Sequence, residues 1–325
     1  MEGQEDNDSD GARAEPTFWV ADGELRAIWK LSAFFAVWVL VIFAGVIVAG
    51  FLPLPMYSPH LQSSIFLAAA LAATVFGMLA VDRAPFASVG FGDRHAMRHF
   101  AIGVGVSSGM MGGVFLIELA SGAAIVRLSS VTVWQAAQLL ASGFALYVIV
   151  GFAEEILLRG YPFRTLLRAT NPAATLLVTS VLFSLIHFWN PSISLPALCN
   201  ICLAGVWLGR ARLVTGQLWL PIGLHTGWNF AQGTVLGYPV SGMVEGGVFR
   251  TDAIGAEWCT GGYFGPEGGA LATAVLVLGT LALWHPRVIA LLRVEGRADI
   301  PAVHAIPVVA TGDAPAASAP EGGED

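Results

Sequence analysis

Residues 152–160 read FAEEILLRG, which places two adjacent glutamates and an arginine in an otherwise apolar stretch. An ionisable side chain inside a membrane-spanning helix is energetically expensive, so such residues are rare and usually mark a site or a water-filled cavity. Two histidines downstream, His187 and His225, also have apolar neighbours. Carboxylates, an arginine and two histidines in apolar segments indicate hydrolytic chemistry inside a membrane.

The composition is that of an integral membrane protein. Of the 325 residues, 55% are hydrophobic and 12% are charged, whereas a soluble domain carries about 25% charged residues. Much of the acid behind the net charge of -7 lies near the two ends of the chain, and no basic patch for nucleic acid is present. We predict an acidic cytoplasmic tail at 1–29, a membrane domain at 30–297 and a disordered tail at 298–325.

Eight apolar stretches approach the length of about 20 residues that a spanning helix needs. They predict an all-α, polytopic bundle of about eight transmembrane helices. The fifth and sixth stretches are the shortest and are interrupted by Pro191 and Pro196. The predicted spans are 31–52, 61–81, 100–120, 134–158, 172–190, 194–209, 218–236 and 270–292.

The basic residues predict an orientation for these helices. With the N-terminus inside, nearly all arginines and lysines fall in inside-facing segments, and only Arg127 and Arg250 fall outside. We therefore expect both termini to be cytoplasmic and, in a bacterium, the protein to lie in the inner membrane.

Two further segments carry weaker signals. Gly105, Gly109 and Gly113 recur every four residues, and small residues at that spacing predict close helix packing in lipid. The connection 237–269 is the longest in the chain and faces outward in this orientation. It can form a cap over the bundle, or it can be an unstructured linker.

The paired glutamates are expected to have different roles. Successive helical side chains point about 100° apart, so Glu154 and Glu155 cannot share one environment. Glu155 precedes Arg159 by four residues, and this spacing predicts an ion pair on one helix face. Glu154 is then left free to face another group.

His187 is the candidate partner of Glu154. The turn signal around Pro172 separates two helices, with Glu154 about 17 residues before it and His187 about 16 residues after it. Equal distances along the two arms of a helix hairpin place residues level with each other. A histidine level with a buried carboxylate is a candidate for acid–base chemistry.

His225 and Asn229 lie four residues apart and therefore on one helix face. An imidazole and an amide there can donate hydrogen bonds to a developing oxyanion. If the hairpin turn lay at the membrane surface, Glu154 would be too deep to meet His225. The three residues can meet if the hairpin protrudes into the cytoplasm.

These motifs together resemble the family of CAAX prenyl proteases and bacteriocin-processing membrane proteins. The family pattern is E-E-x-x-x-R, then F-x-x-x-H, then H-x-x-x-N. This chain matches it over roughly residues 150–230, with Glu154-Glu155 and Arg159, Phe183 and His187, and His225 and Asn229.

The resemblance implies an intramembrane glutamate-type endopeptidase that acts on a membrane-bound or lipidated peptide or protein. Glu154 would be the general base, and His187 would help to orient and activate the water. His225 and Asn229 would form the oxyanion hole, with Glu155 and Arg159 in support. No cofactor is implied, and the resemblance does not identify the substrate.

Three alternatives remain open. Glu154, His187 and His225 can supply three ligands to zinc, although H-E-x-x-H is missing. A catalytically inactive membrane scaffold or bacteriocin self-immunity protein can keep the same fold and use the polar cluster for binding. A transporter would suit broken helices with buried charges, although no internal repeat is evident.

Overall fold

The computed structural model describes residues 17–21, 24–53, 55, 58–92 and 94–293. Helices dominate this part of the chain and lie at all eight predicted stretches, so the predicted all-α membrane bundle is confirmed. In chain order they are α1 (Ala27–Gly50), α2 (Pro59–Phe76), α3 (Ala96–Ala120), α4 (Val133–Glu155), α5 (Tyr161–Ala169), α6 (Pro172–Ile186), α7 (Leu195–Thr215), α8 (Trp219–Asn229), α9 (Glu257–Thr260), α10 (Ala270–Ala282) and α11 (Pro286–Leu292).

Length divides the helices into two groups. Among the described residues, five helical segments are long and apolar enough to cross a membrane, or six if the bent pair α10 and α11 counts as one span. α6 has 15 residues and α8 has 11, so the expected eight spans are too many by this measure. Every residue of α8 from Leu220 to Asn229 is buried. Its apolar character therefore reflects contact with protein rather than with lipid.

Three helices widen into π-helical turns at their carboxyl ends. α2 continues as Gly77–Val81, α4 as Ile156–Gly160 and α8 as Phe230–Val235. Such turns are rare and are frequently found at functional sites. The turn after α4 begins directly after the paired glutamates and contains Arg159, so the helix changes its geometry at the FAEEILLRG stretch.

Helices α3 and α8 approach each other closely through glycines. A Cβ atom added to Gly103 would lie 2.6 Å from the backbone N of Leu224 and 2.7 Å from the backbone C of Gly223. A Cβ atom at Gly105, Gly109 or Gly113 would meet nothing within 4 Å. The prediction that these three glycines form a packing ridge is therefore wrong. The closely packed face of α3 is the opposite one, on which Gly103 lies.

The long connection 237–269 is ordered. β3 (Ala124–Leu128) pairs antiparallel with β4 (Phe249–Ala253), with Val126 opposite Thr251. The same connection contains α9 and two short 3-10 turns. The unstructured-linker interpretation is therefore wrong, because the segment is tied by main-chain hydrogen bonds to the loop that joins α3 to α4.

The N-terminal side of the bundle is held by a network of charges. β1 (Val20–Ala21) pairs with β2 (Glu24–Leu25), and the Lys30 ammonium on α1 donates to Glu24 at 2.9 Å and to Asp82 at 2.8 Å. Arg164 on α5 also pairs with Asp82. The last residues of the predicted tail 1–29 are thus part of the fold. Residues 1–16 and the predicted disordered tail 298–325 lie outside the described residues.

Candidate functional site

Three helices bring the predicted site residues together. Glu154 and Glu155 end α4, His187 is the first residue after α6, and His225 and Asn229 lie on α8. Gly205 of α7 would place an added Cβ 2.8 Å from the Cα of Ser180, so α6 and α7 pack closely because this position lacks a side chain. The site therefore lies among four tightly packed helices.

Glu155 anchors the site from a fully buried position. Its Oε1 accepts a hydrogen bond from Nη1 of Arg159 at 3.0 Å, and both side chains are 0% exposed. This is the contact that the four-residue spacing predicts. Nη2 of Arg159 donates to the carbonyl of Gly205 at 3.2 Å, and the guanidinium carbon lies 4.2 Å from the ring centre of Phe183. The pair thus connects α4 with α6 and α7.

His225 is oriented by the same carboxylate. Its Nδ1 lies 3.0 Å from Oε1 of Glu155. Because an ionised carboxylate only accepts hydrogen bonds, Nδ1 carries the hydrogen. The other nitrogen, Nε2, lies 3.9 Å from Oε2 of Glu154. With Nδ1 already protonated, Nε2 can donate only from the positively charged ring.

Glu154 is the carboxylate that remains available. Its Oε2 lies 3.7 Å from Nε2 of His187 and 3.9 Å from Nε2 of His225. Both distances exceed that of a hydrogen bond, and this buried oxygen has no hydrogen-bond partner among the described residues. A water molecule or a substrate oxygen can bridge groups at such separations. Glu154 and Glu155 therefore occupy the two different environments that their positions on the helix predict.

His187 presents one defined nitrogen to Glu154. Its Nδ1 lies 2.7 Å from the carbonyl oxygen of Phe183. A carbonyl only accepts, so Nδ1 donates, and Nε2 of the neutral ring keeps its lone pair. The hairpin of α4 and α6 does place Glu154 and His187 level, as the distances from the turn predict. The structure also brings His225 into the same cavity as Glu154 and His187. The three residues therefore meet, which the sequence allowed only if the hairpin protrudes from the membrane.

Asn229 lies one turn beyond His225 and is 7% exposed. Within the described part of the chain, its side chain has no hydrogen bond to protein. Its amide faces the same cavity as His225. The two residues thus share a face, as their spacing predicts, and the amide is available to a ligand.

These residues open onto a cavity of about 870 Å³. Glu154, His187, His225 and Asn229 line it, whereas Glu155 and Arg159 lie behind them. A volume of this size is within the range of small-molecule and cofactor sites. Much of the wall is apolar and comes from several helices, including Trp38, Phe66, Leu185, Ile186, Trp207 and Leu276.

Residues of the long connection complete the cavity and were not predicted. Ser241, Glu245 and Glu267 line it, as does Asn200 of α7. The Asn200 amide donates to the carbonyl oxygens of Glu267 at 2.8 Å and Gly269 at 3.0 Å. A glycine-rich connection has no helical or strand periodicity, so no local pattern identifies these residues as part of the site.

The alternative of a zinc centre gains no support from this arrangement. Among the described residues, no group of three or more His, Cys, Asp or Glu side chains is placed to hold a metal ion. A chelator provides the direct test.

Comparison with known proteins agrees with the geometry. Residues 136–231 match the family model described as type II CAAX prenyl endopeptidase, Rce1-like. The match contains Glu154, Glu155, Arg159 and His187, and it also contains both site residues of α8. Comparisons with curated proteins and with solved structures gave no match. The region of this membrane protein that carries the site is therefore similar to the Rce1-like family of type II CAAX prenyl endopeptidases.

Proposed function

We propose that the chain is an intramembrane endopeptidase that hydrolyses a peptide bond with a water molecule activated by Glu154 and His187. One observation carries the proposal. The buried Oε2 of Glu154 lies 3.7 Å from Nε2 of His187 and 3.9 Å from Nε2 of His225, in a cavity large enough for part of a peptide.

The first step is proton transfer from water to Glu154. A water held between Glu154 and His187 donates one hydrogen to each, because both groups present lone pairs. Its oxygen attacks the peptide carbonyl, the Glu154 carboxylate takes up the proton, and a tetrahedral intermediate forms. Positioned general-base catalysis of this kind contributes about 10²–10⁴-fold in rate.

The second requirement is stabilisation of the oxyanion. The Asn229 amide donates to no described residue and so has hydrogens free to donate, and the charged form of His225 can donate from Nε2. Both side chains are buried, where a hydrogen bond to a developing charge is stronger than in water. Collapse of the intermediate then breaks the C–N bond as the proton passes from Glu154 to the leaving amine.

Glu155 and Arg159 act by positioning. Glu155 fixes the ring of His225 through Nδ1, and Arg159 neutralises Glu155. Without the guanidinium, two adjacent carboxylates would carry negative charge in one buried site. The pair therefore keeps Glu154 as the reactive carboxylate.

The substrate is proposed to be membrane-associated or lipidated. The cavity lies among apolar helices and has apolar walls, so a segment that reaches it must itself tolerate an apolar surrounding. The matched family description also names a prenyl substrate class.

The test uses purified protein in neutral detergent with two fluorogenic peptides that end in a CAAX sequence, one farnesylated and one not. We expect wild type to cleave at least one peptide and Glu154→Gln to lose about 10²–10⁴-fold in rate. Glu118→Gln is the matched control. Glu118 is also 0% exposed, on α3, but it accepts a hydrogen bond from Tyr238 and does not line the cavity.

Each arm is repeated with a chelator. Equal activity with and without chelator, with loss only in Glu154→Gln, supports the metal-free mechanism. Loss on chelation would assign a metal centre to the site. Equal rates for wild type and Glu154→Gln would contradict the role of Glu154. Cleavage of neither peptide would favour the inactive scaffold or self-immunity protein.

A further inference from the structure

The described residues that line the cavity include acids but no permanent cation. Among its described lining residues, Glu154, Glu245 and Glu267 are carboxylates, and none is an arginine or lysine. The nearby guanidinium of Arg159 lies behind the wall and is already paired with Glu155. A substrate group with a positive charge therefore meets complementary charge in this cavity.

Of the three carboxylates that line the cavity, Glu267 lies in the long connection and is held in place by hydrogen bonds. One oxygen, Oε2, accepts from the backbone N of Ser241 at 2.7 Å and from its hydroxyl at 2.9 Å. Its other oxygen has no hydrogen bond among the described residues. The side chain thus has a set orientation and one acceptor available to a ligand.

The backbone around Glu267 is fixed as well. Asn200 donates to the carbonyl of Glu267, and the Asn200 side chain accepts from Thr273 at 2.7 Å. Gly265 has a φ of +100°, in the region that favours glycine, and an added Cβ would overlap the carbonyl of Pro239. The segment therefore holds Glu267 at the cavity wall by several independent contacts.

Asn229 independently indicates that the cavity receives a polar ligand. It is 7% exposed, lines the same cavity and makes no side-chain hydrogen bond to protein within the described residues. Buried polar groups are normally hydrogen-bonded, so such an amide points to a peptide or another polar ligand.

We propose that Glu267 forms a subsite that binds an ammonium or guanidinium group of the substrate, from a lysine or arginine near the cleaved bond. The identity of the ligand as a peptide rests on the proposed function. The preference for a cation is a property of the cavity and can be measured without cleavage.

The electrostatic surroundings agree with this role. Burial raises the pKa of Glu267, whereas its hydrogen bonds from Ser241 and the charges of His187 and His225 lower it, and the net direction is upward. A cationic partner would favour the ionised form. Charge-assisted hydrogen bonds are about twice as strong as neutral ones, so a bound cation gains both contact and charge complementarity.

The experiment measures binding of two labelled peptides to the full-length protein in neutral detergent by fluorescence anisotropy. The peptides are identical and apolar except for one central residue, which is lysine or norleucine, the uncharged residue that keeps the four-carbon chain of lysine without the ammonium group. We expect wild type to bind the lysine peptide about tenfold or more tightly than the norleucine peptide, because only lysine carries a charge complementary to Glu267. A tenfold difference in affinity corresponds to about 1.4 kcal/mol. The preference should weaken as salt concentration rises.

Glu267→Gln should remove the preference by weakening only the binding of the lysine peptide. Glu257→Gln is the matched control, because Glu257 belongs to the same connection, is exposed and does not line the cavity. Equal affinity of wild type for the two peptides, or no binding of either, would overturn the subsite. That comparison needs no variant, so a poorly folded Glu267→Gln protein cannot obscure it.

Cleavage assays with the same peptides separate this inference from the proposed function. Glu267-dependent binding of the lysine peptide without any cleavage would keep the subsite and contradict the peptidase. Glu154-dependent cleavage with no preference between the two peptides in binding would support the peptidase and contradict the Glu267 subsite.

Discussion

Nδ1 of His225 lies 3.0 Å from Oε1 of Glu155, although the two residues are 70 positions apart in the sequence. The same oxygen accepts from Arg159 at 3.0 Å. One buried carboxylate oxygen therefore sets both the ring orientation of His225 and the position of the guanidinium. The reactivity proposed for Glu154 therefore depends on contacts made by its neighbour.

Breaking the Glu155–Arg159 pair by removing one partner should strongly destabilise the protein. Removing one partner of a buried ion pair leaves an uncompensated charge and typically costs about 3–5 kcal/mol. We expect Arg159→Met alone to lower the melting temperature strongly. Thermal unfolding in detergent would measure this.

The double variant Glu155→Gln with Arg159→Met provides the control. It leaves neither charge of the pair without its partner, so it should recover much of the loss. A double variant that is less stable by the sum of both single effects would contradict a direct coupling between the two side chains.

Asn229→Ala should impair turnover much more than stability. Removing an oxyanion-hole donor costs about 10²–10³-fold in kcat. The Asn229 side chain makes no hydrogen bond to described protein residues, so its loss should leave the melting temperature close to that of wild type. Steady-state kinetics should show the effect in kcat rather than in KM. An unchanged kcat would remove Asn229 from the oxyanion hole.

Two glycines of α3 should respond oppositely to the same substitution. Gly103→Ala places a methyl group 2.6 Å from the backbone of Leu224, and overpacking of this kind costs about 1–3 kcal/mol. Gly109→Ala meets nothing within 4 Å and should be neutral or slightly stabilising, because alanine is the better helix former. Equal melting temperatures for the two variants would contradict the observed crossing of α3 and α8.

The effect of Glu267→Gln on stability, measured against wild type, should become more favourable as the pH rises. The folded pKa of Glu267 is raised by burial above its ordinary value of 4.5. A carboxyl with a raised folded pKa contributes stability below its unfolded pKa and loses it as pH rises through the folded pKa. The melting temperature of Glu267→Gln relative to wild type should therefore be higher at pH 8 than at pH 4.

Ser241→Ala should have the opposite effect. The Ser241 hydroxyl lowers the pKa of Glu267, so removing it should raise that pKa further and increase the loss of stability between pH 4 and pH 8. The backbone bond from Ser241 remains in this variant. A difference from wild type that does not change with pH, in both variants, would contradict the assigned titration.

The contacts within helices and within one hairpin could be predicted from the sequence. Helical periodicity separates Glu154 from Glu155 and pairs Glu155 with Arg159, because side-chain direction follows from local geometry. The turn near Pro172 sets the register of the two arms and places His187 level with Glu154. These relations involve short separations or one turn, so little tertiary information is needed.

The remaining relations depend on how distant helices rotate against each other. α3 carries glycines on two faces, and spacing alone favoured the regular series at Gly105, Gly109 and Gly113 over the position at Gly103 that packs. The bond between His225 and Glu155 needs the rotation of α8 about its axis. Glu267 lies in a segment without periodicity, and only the folded connection brings it to the cavity.

The shortness of the α8 segment has a consequence for biogenesis. The 11 residues of α8 and the 6 of its π-helical continuation to Val235 reach at most about 25 Å, which is less than the hydrocarbon thickness of about 30 Å. Its residues from Leu220 to Asn229 are surrounded by protein, so the segment needs its neighbours before it has a place to fold. We expect His225 and Asn229 to join Glu154 only at the end of membrane assembly, which leaves partly inserted chains without a formed hydrolytic centre.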